Sequence, residues 1–370
     1  MNYLPQAMAL LESTRKVYPK IDFYVLIIDA DSRDCEFLPS AKVLIPDDLI
    51  IPEQWLQEMR SYYDAMELAT SLKPFLLDTL LEEGVSTVTF LDPDILLFDK
   101  LDEGMLSAEE YGIALTPHRL TPSDIYSKVG LDLGFLQYGI FNLGYISVGQ
   151  KSKPMLEWWG TRLRLYCTKF PGDPVFTDQK WMNFIPTLFE HRVIKHAGYN
   201  LATWNIDERL LTMRNGKLHA GSNELVFIHF SQMSGALAKG QKTHHWENAL
   251  VHLENSQFTL NIIEQITEAY TSTLSHFGLM SSAGEKKSKP LNYRSYHAKR
   301  KLIRKIILDS ETKNDNIQRN NRNDTLNLKS FWLGMRISLL LEKSSTINGF
   351  RDGLYLDLAK LKLKYLGKNK

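Results

Sequence analysis

The sequence predicts an α/β protein with a mostly parallel sheet flanked by helices, followed by a C-terminal helical basic extension. Two observations support this prediction. Apolar runs of strand length alternate with helical stretches as far as Gly235, and the balance of charge reverses near residue 285. Strands separated by helices favour parallel pairing. Ligands of such sheets bind beyond the carboxyl ends of the strands, so acids and histidines at those ends are the first candidates for a site.

The first predicted elements are a strand and a long helix. Asp22–Asp31 contains six consecutive apolar residues, which is typical of a buried strand. Glu67–Glu83 carries apolar residues near 3.6-residue spacing and is followed by Gly84, so we predict a helix with a glycine C-cap. Pro74 lies inside this helix and predicts a kink or a restart.

Further strands and one further helix follow along the chain. Apolar runs with few charges predict strands at Val85–Asp94, Gly112–His118, Gly139–Gly149 and Leu225–Ser231. Residues 255–280 show helical periodicity and predict a single helix.

Composition excludes several classes of protein. Hydrophobic residues make up 44% of the 370 residues and charged residues 24%, which is unlike a disordered, collagenous or membrane-spanning chain. The two cysteines, Cys35 and Cys167, cannot form a disulfide framework and indicate a reducing compartment. The N-terminus has Pro5 and no basic region, which argues against a secretory signal. We therefore predict a cytoplasmic protein.

The net charge of +1 is the sum of two unlike parts. Residues 285–370 contain 21 of the 44 basic residues and 8 of the 43 acidic ones, a charge of +13. Residues 1–284 keep the other 23 basic and 35 acidic residues, a charge of −12. We predict a catalytic domain at 1–250, a helical connection at 251–284 and a basic helical tail at 285–370. Such asymmetry suggests an anionic partner for the tail.

The most informative segment ends the strand at Val85–Asp94. Side chains alternate along an extended chain, so Asp92 and Asp94 are expected on the same side. Two converging carboxylates repel each other unless a cation lies between them, and oxygen ligands suit Mg²⁺ or Mn²⁺. The alternative is a pair of merely solvated acids.

A second candidate ligand is His229, which lies in another apolar strand. It is either a core histidine bonded to the backbone or the third member of an Asp/Asp/His metal site. As a ligand it must be neutral, so metal binding should weaken below about pH 6.5.

Several segments, taken in order, resemble one enzyme family. They are AMELATSLKPFLLDTLLEEGVSTVTFLDPDILLF, GIALTPH, GIFNLGYISV, FTDQKWMNFIPTLF, HAGYNLATWN and FIHFS. Together they resemble a bacterial glycosyltransferase of the GT-A fold, similar to the retaining family 8 group that includes glycogenin and the lipooligosaccharide galactosyltransferases. The resemblance runs from Asn2 to about Gly240. It implies a Rossmann-like domain that uses a nucleotide-sugar donor and a glycan or lipid-linked acceptor.

The resemblance also implies individual roles. It places the metal ligands for Mn²⁺ or Mg²⁺ at Asp92, Asp94 and His229. Such a cation stabilises the charge that develops on the departing nucleoside diphosphate. The remaining implied site residues are the donor-binding Asn2, Lys73 and Asn142, the catalytic pair Asp178 and Gln179 at the transferred sugar, and the acceptor-side Asn200.

Two of these matches have an alternative explanation within the sequence. Lys73 is either a donor contact or a surface lysine. Asn142 lies between apolar residues and needs hydrogen-bond partners, which either sugar hydroxyls or a turn beside Gly144 would supply. His118 closes another strand, and the resemblance assigns it no role.

The chain departs from the family pattern in two places. The family's first short strand, which helps to form the nucleotide pocket, is missing or truncated before Asn2. The glycine and the Lys-Pro-Trp that follow the metal histidine are absent, which leaves Ser231 and Lys239 as weaker matches for donor binding.

The predicted activity is metal-dependent transfer of a hexose from a nucleoside diphosphate to a hydroxyl, with retained configuration. One alternative is a catalytically inactive sugar-nucleotide-binding or scaffold protein. Another is a phosphatase of the haloacid-dehalogenase type, although its motif expects Thr or Val where Leu96 stands. A nucleotidyltransferase would need a GxGTR loop, which the sequence lacks.

The basic tail suggests a location for the enzyme. In Lys299–Leu308 an apolar stripe lies beside a basic one if the segment is helical, and 354–365 repeats the pattern. Such helices bind anionic membrane surfaces, so we expect peripheral association with the inner face of the membrane. The alternative is packing against the catalytic domain. No recognised nucleic-acid module accompanies the charge, so we expect no nucleic-acid partner.

Overall fold

The computed structural model describes residues 3–29, 38, 40–123, 125–170, 173–254, 256–281, 303–309 and 311, and it leaves out the side chains of 125–131 and 279–281. The chain divides into two compact units, Met1–Lys287 and Ser288–Lys370. Asn2 and the predicted elements beyond residue 311 lie outside the described residues.

One α-helix of the first unit precedes its strands, and the others lie between or after them. They are α1 (Leu4–Val17), α2 (Glu53–Tyr62), α3 (Ala65–Ser71), α4 (Lys73–Glu82), α5 (Asp102–Tyr111), α6 (Ile125–Tyr138), α7 (Lys153–Leu163), α8 (Ile185–Leu188), α9 (Ser234–Leu237), α10 (His245–Leu250) and α11 (Gln257–Ser281).

The strands of the first unit are short, apart from one. They are β1 (Tyr24–Leu26), β2 (Lys42–Leu44), β3 (Thr87–Leu91), β4 (Ile95–Leu97), β5 (Ile113–Pro117), β6 (Phe141–Gly149), β7 (Arg192–Val193), β8 (Leu211–Arg214), β9 (Lys217–Ala220), β10 (Asn223–Glu224) and β11 (Phe227–His229). The α/β class is confirmed, and each of the five predicted strands contains an observed one.

The helix predicted around Pro74 restarts, as the proline suggested. Asp64 caps α3 by accepting a hydrogen bond from the Glu67 backbone N–H at 3.0 Å. Leu72 lies between α3 and α4, and Pro74 is in the first turn of α4, where its missing N–H costs no hydrogen bond. The restart places Lys73 at the N-terminus of α4.

Strand pairing is more mixed than the mostly parallel sheet that the alternation predicted. In the four-stranded sheet the order is β3-β6-β5-β7, and β6 is antiparallel to both β3 and β5. Parallel pairs join β5 to β7 and β1 to β2. β6 is antiparallel to β5 because α6 connects the two strands at one end of the sheet. The chain leaves β5 at that end and enters β6 at the same end. Pro117 consequently pairs with Phe141.

One antiparallel pair positions the candidate site. β4 follows directly on Asp92, Pro93 and Asp94, which we call the acidic turn, and β11 pairs with β4 so that His229 lies opposite Ile95. Both strands are buried in the core, where Ile95 and Phe227 are 0% exposed. This pairing brings together two segments that are far apart in the sequence.

The long helix α11 packs along α1. Its Ile263 and Tyr270 share one apolar cluster with Ala9 of α1 and Phe230 beyond β11. Among the described residues, no helix is both long and apolar enough to cross a membrane. In the second unit, residues 303–309 are helical. This helix overlaps the segment Lys299–Leu308 and extends one residue beyond it.

Candidate active site

The two aspartates converge through a turn and not through strand alternation. β3 ends at Leu91, and the Ile95 N–H donates to the Asp92 carbonyl at 3.2 Å, which closes a turn over Pro93. A proline in the second position of such a turn is favoured because its φ is fixed. The prediction that the carboxylates lie together therefore holds, although the reason given for it was wrong.

His229 completes a group with the two carboxylates. Its Nε2 lies 3.1 Å from Asp94 Oδ1 and 3.8 Å from Asp92 Oδ2. One ligand atom from each of the three residues lies within 4.8 Å of the others, so the group could hold a metal ion. The imidazole is 3% exposed and the Asp92 carboxylate 29%, which leaves an approach from solvent on the aspartate side.

The geometry of this group fits a hard divalent cation. Neighbouring ligands of an octahedral ion with bonds near 2.1 Å are about 3 Å apart, and the Asp94–His229 spacing is 3.1 Å. The two carboxylates suit Mn²⁺ or Mg²⁺, whereas an imidazole is a ligand typical of transition-metal ions. A cation would also relieve the repulsion between the two acids.

Lys73 is buried between the acidic turn and a third carboxylate. Its Nζ lies 2.9 Å from Asp178 Oδ2 and 3.3 Å from Asp92 Oδ1, and it donates to the Leu143 carbonyl at 2.9 Å. The ammonium also lies 4.4 Å from the centre of the Phe90 ring. The contact with the Leu143 carbonyl is a hydrogen bond, and the two carboxylates are held as ion pairs; Asp178 Oδ2 is a buried oxygen that accepts no hydrogen bond from the described residues. With neutral His229, the group of Asp92, Asp94, Asp178 and Lys73 carries a net charge of −2.

Burial and the neighbouring charges shift the pKa values in this cluster. Burial disfavours charge on Lys73, but the carboxylates of Asp178 and Asp92 outweigh it and raise the lysine pKa. Burial raises the pKa of Asp92. The pKa of Asp94 is lowered, because the nearby His229 imidazole and a hydrogen bond from Ser234 overcome the effect of burial. The pKa of His229 is raised, since Asp94 and Asp92 outweigh its burial.

Asn142 and Asn200 lie behind the imidazole, on the side away from the carboxylates. His229 Nδ1 lies 3.1 Å from Asn142 Oδ1 and 3.3 Å from Asn200 Oδ1. Asn142 is 6% exposed and Asn200 is 0% exposed. Asn200 also donates to Thr116 Oγ1 at 2.9 Å. Neither the donor-sugar role of Asn142 nor the acceptor role of Asn200 is tested by this placement, but both amides have protein partners.

Gln179 links this layer to the outer part of the site. Its Oε1 accepts from the Leu143 N–H at 3.1 Å, and its Nε2 donates to the Tyr138 carbonyl at 3.0 Å. Asp178 precedes it and is 3% exposed. Thr177, one residue earlier, has a φ of +43°, a conformation that a β-branched residue rarely adopts. The backbone is therefore strained where it presents Asp178 to Lys73.

Two predicted donor contacts lie in the segment after β11. Ser231 is partly exposed, and Lys239 is exposed on the surface after α9. The structure gives neither side chain a partner that defines its role, so both stay predictions.

The sequence did not indicate Ser234 or Gly144. Ser234 Oγ donates to Asp94 Oδ2 at 3.1 Å. A Cβ on Gly144 would lie 2.4 Å from Cε1 of His229, so only glycine fits beneath the imidazole. Glycine inside a strand marks a close approach of another group, and this was the available signal for Gly144.

A buried ionic cluster fixes the chain after β5. Arg119 binds Asp207 through two hydrogen bonds of 2.7 and 3.1 Å. Glu208 accepts from the backbone N–H groups of Leu120 and Thr121, each at 2.9 Å. Sequence reasoning missed this cluster, because its members are far apart along the chain.

His118 lies between that cluster and the asparagines. Burial lowers its pKa to about 4 from the ordinary 6.5. The unfolded chain therefore binds a proton near pH 6.5 that the folded chain accepts only near pH 4. Stability is lost as pH falls through this window, by about 3 kcal/mol at pH 4.

We expect His118→Gln to remove this loss. Urea unfolding at pH 7 and pH 4 measures the free energy of unfolding, and the acid-induced drop should be smaller than that of the wild type by about 3 kcal/mol. The exposed His252 provides the matched control, and His252→Gln should leave the drop unchanged. Equal drops in His118→Gln and the wild type would contradict the assignment.

Comparisons with known proteins give distant likenesses. No family model matches the chain. The uncharacterised protein YfnF of Bacillus subtilis strain 168 is 25% identical over 237 residues, which span 62% of this chain and 77% of YfnF. The uncharacterised protein YfnD of the same strain is 24% identical over 226 residues, 57% of this chain and 68% of YfnD.

Two solved structures are also similar. Apo mouse xyloside xylosyltransferase 1 aligns with a TM-score of 0.39 and 10% identity over 63% of this chain and 93% of its own. A glycosyltransferase involved in glycosylation of the major capsid of PBCV-1 aligns with a TM-score of 0.32 and 11% identity over 67% and 92%. At these values neither likeness assigns an activity to this chain.

Proposed function

We propose that this protein is a metal-dependent glycosyltransferase of the GT-A type that transfers a hexose from a nucleoside-diphosphate sugar to a hydroxyl of a glycan or lipid-linked acceptor. The main support is the convergence of Asp92, Asp94 and His229 from two separate segments into one cluster that also contains Lys73 and Asp178. A cluster with an excess of two negative charges, open on the aspartate side, suits a divalent cation that carries a diphosphate.

The proposed reaction exchanges one C–O bond for another at the sugar. The bond between C1 and the β-phosphate oxygen breaks, and its electron pair leaves with the nucleoside diphosphate. The acceptor hydroxyl oxygen forms the new bond to C1 from the same face, and its proton passes to the departing phosphate oxygen. The configuration at C1 is thereby retained.

The residues present divide this work. Asp92, Asp94 and His229 would hold Mn²⁺ or Mg²⁺, which supplies charge stabilisation at the leaving diphosphate. Lys73 holds the Asp178 carboxylate in place, since its Nζ lies 2.9 Å from Oδ2 of that residue. Asp178 and Gln179 are proposed to orient the transferred sugar.

Donor binding is proposed to extend along the segment after β11. Ser231 lies two residues beyond the metal histidine, and Lys239 provides a cation at the protein surface. Lysine binds phosphate groups as a compact point charge. We include Asn2 in the donor-binding set on the family resemblance alone.

A screen of nucleotide-sugars tests the proposal. With Mn²⁺ present, we expect one or more donors to release nucleoside diphosphate through slow hydrolysis, and to release it faster when an acceptor glycan is added. Chelation with EDTA should stop the release, and added Mn²⁺ should restore it. Binding of a donor without any turnover, across a full set of sugars, would instead identify a sugar-nucleotide-binding protein without activity.

We propose that the protein is cytoplasmic and that the basic segment 285–370 holds it at the inner face of the membrane. Its charge of +13 predicts attraction to anionic lipids, worth about 1 kcal/mol for each basic residue near the surface. The full chain should sediment with vesicles of phosphatidylglycerol and phosphatidylcholine at low salt and detach at high salt. Equal sedimentation with pure phosphatidylcholine vesicles, or none with the anionic ones, would overturn this location.

A further inference from the structure

We propose that Asn142 and Asn200 are positioning residues that fix the tautomer and orientation of His229, so that its Nε2 lone pair faces Asp92 and Asp94. This inference rests on the proposed metal-dependent function. It gives the two asparagines a role in preparing the metal ligand, distinct from the donor and acceptor contacts that the family resemblance implied.

Hydrogen-bond partners identify the oxygen atom of each amide. Asn142 Oδ1 accepts from the Gly144 N–H at 3.0 Å and from Asn200 Nδ2 at 3.0 Å, so this atom is an oxygen. Asn200 Nδ2 donates to Asn142 and to Thr116 Oγ1, so the other amide atom of Asn200 is its oxygen. The orientation of both amides follows from their neighbours.

The same two amide oxygens determine which nitrogen of the imidazole carries the proton. His229 Nδ1 lies 3.1 Å from Asn142 Oδ1 and 3.3 Å from Asn200 Oδ1. Neither oxygen can donate, so Nδ1 must carry the hydrogen. In the neutral ring the lone pair is then on Nε2.

The Nε2 lone pair faces the two carboxylates. Nε2 lies 3.1 Å from one oxygen of Asp94 and 3.8 Å from one of Asp92. A lone pair directed at two carboxylates is repelled, and a cation held by the three groups would replace that repulsion with attraction. Histidines that bind metals through one nitrogen commonly donate the other N–H to an oxygen, which raises the basicity of the ligand.

The surroundings leave the imidazole little freedom. A Cβ on Gly144 would lie 2.4 Å from Cε1 and 2.6 Å from Nδ1 of His229, which shows how closely the ring lies against β6. Asn200 has a φ of +58°, a left-handed conformation that asparagine tolerates. Asn205 Nδ2 donates to the Asn200 carbonyl at 3.0 Å and helps to hold that conformation.

Calorimetric titration of the full chain with Mn²⁺ tests the inference. Asn142→Ala and Asn200→Gly remove one amide each, and glycine suits the positive φ at residue 200. We expect each variant to bind Mn²⁺ roughly 10- to 100-fold more weakly than the wild type. Asn183 accepts from the Ile140 N–H at 3.0 Å, and Asn183→Ala serves as the matched control with unchanged affinity.

A conservative variant separates positioning from general damage. Asn142→Asp keeps an oxygen beside Nδ1, so its Mn²⁺ affinity should stay within a few-fold of the wild type. Imidazole ¹⁵N spectra of the metal-free protein, at a pH where His229 is neutral, should show Nδ1–H in the wild type and a tautomer mixture in Asn142→Ala. An affinity in Asn142→Asp as low as in Asn142→Ala would overturn the inference.

The experiment also distinguishes two kinds of failure. If the wild type and Asp94→Ala both fail to bind Mn²⁺, the metal site of the proposed function is wrong. If the wild type binds and Asp94→Ala does not, while Asn142→Ala and Asn200→Gly bind as tightly as the wild type, the metal site stands and the positioning role is wrong.

Discussion

Replacing Asp94 by asparagine is expected to abolish measurable Mn²⁺ binding and to lower sugar transfer at least a hundredfold, roughly the effect of losing a charge-stabilising group at a transition state. The substitution keeps the shape of the side chain and leaves an atom for Ser234 to contact, but it removes the negative charge beside His229 Nε2. Asp92→Asn should act in the same direction.

Turnover of the donor found in the screen and Mn²⁺ calorimetry measure the two effects. Asp47 is exposed and pairs with Arg60 on the surface, so Asp47→Asn is the matched control that loses one carboxylate without touching the site. Full transfer activity in Asp94→Asn and Asp92→Asn would remove the metal from the proposed mechanism.

Replacing Lys73 by methionine is expected to destabilise the fold by about 3–5 kcal/mol, because it leaves Asp178 and Asp92 without the cation that neutralises them. Both the Lys73 and Asp178 side chains are at most 5% exposed, so solvent cannot take over that role. The free energy of unfolding in urea measures the loss.

A second substitution identifies the cause. Asp178→Asn in the Lys73→Met background removes one of the unpaired charges, so the double variant should regain part of the lost stability. If the double variant loses the sum of the two single effects, the buried ion pair does not account for the cost.

The sequence indicated the centre of the site because strand ends have a local signature. Asp92, Asp94 and His229 each adjoin an apolar run, and the antiparallel pair of β4 and β11 brings two of these runs together. The helix restart at Pro74 was equally local, since it follows from the geometry of one residue.

The surroundings of the site could not be predicted in the same way. Whether Asn200 faces an acceptor or the back of an imidazole depends on contacts with residues distant along the chain. Likewise, β6 is antiparallel to β5 because α6 returns to the same end of the sheet, and residue types do not encode that path. The partner of Lys73, Asp178, lies beyond four intervening strands.

The pairing of β4 with β11 sets an order for events during synthesis. Asp94 emerges from the ribosome long before His229, so no nascent chain that still lacks β11 can assemble the site. The contact between α1 and α11 forms later still, because α11 is complete only when Ser281 has been made. The acidic turn therefore emerges before β11, and the part of α1 that packs on α11 emerges before that helix, although β4, another neighbour of α1, is made early. Contacts of such long range slow folding and leave partly folded chains open to association.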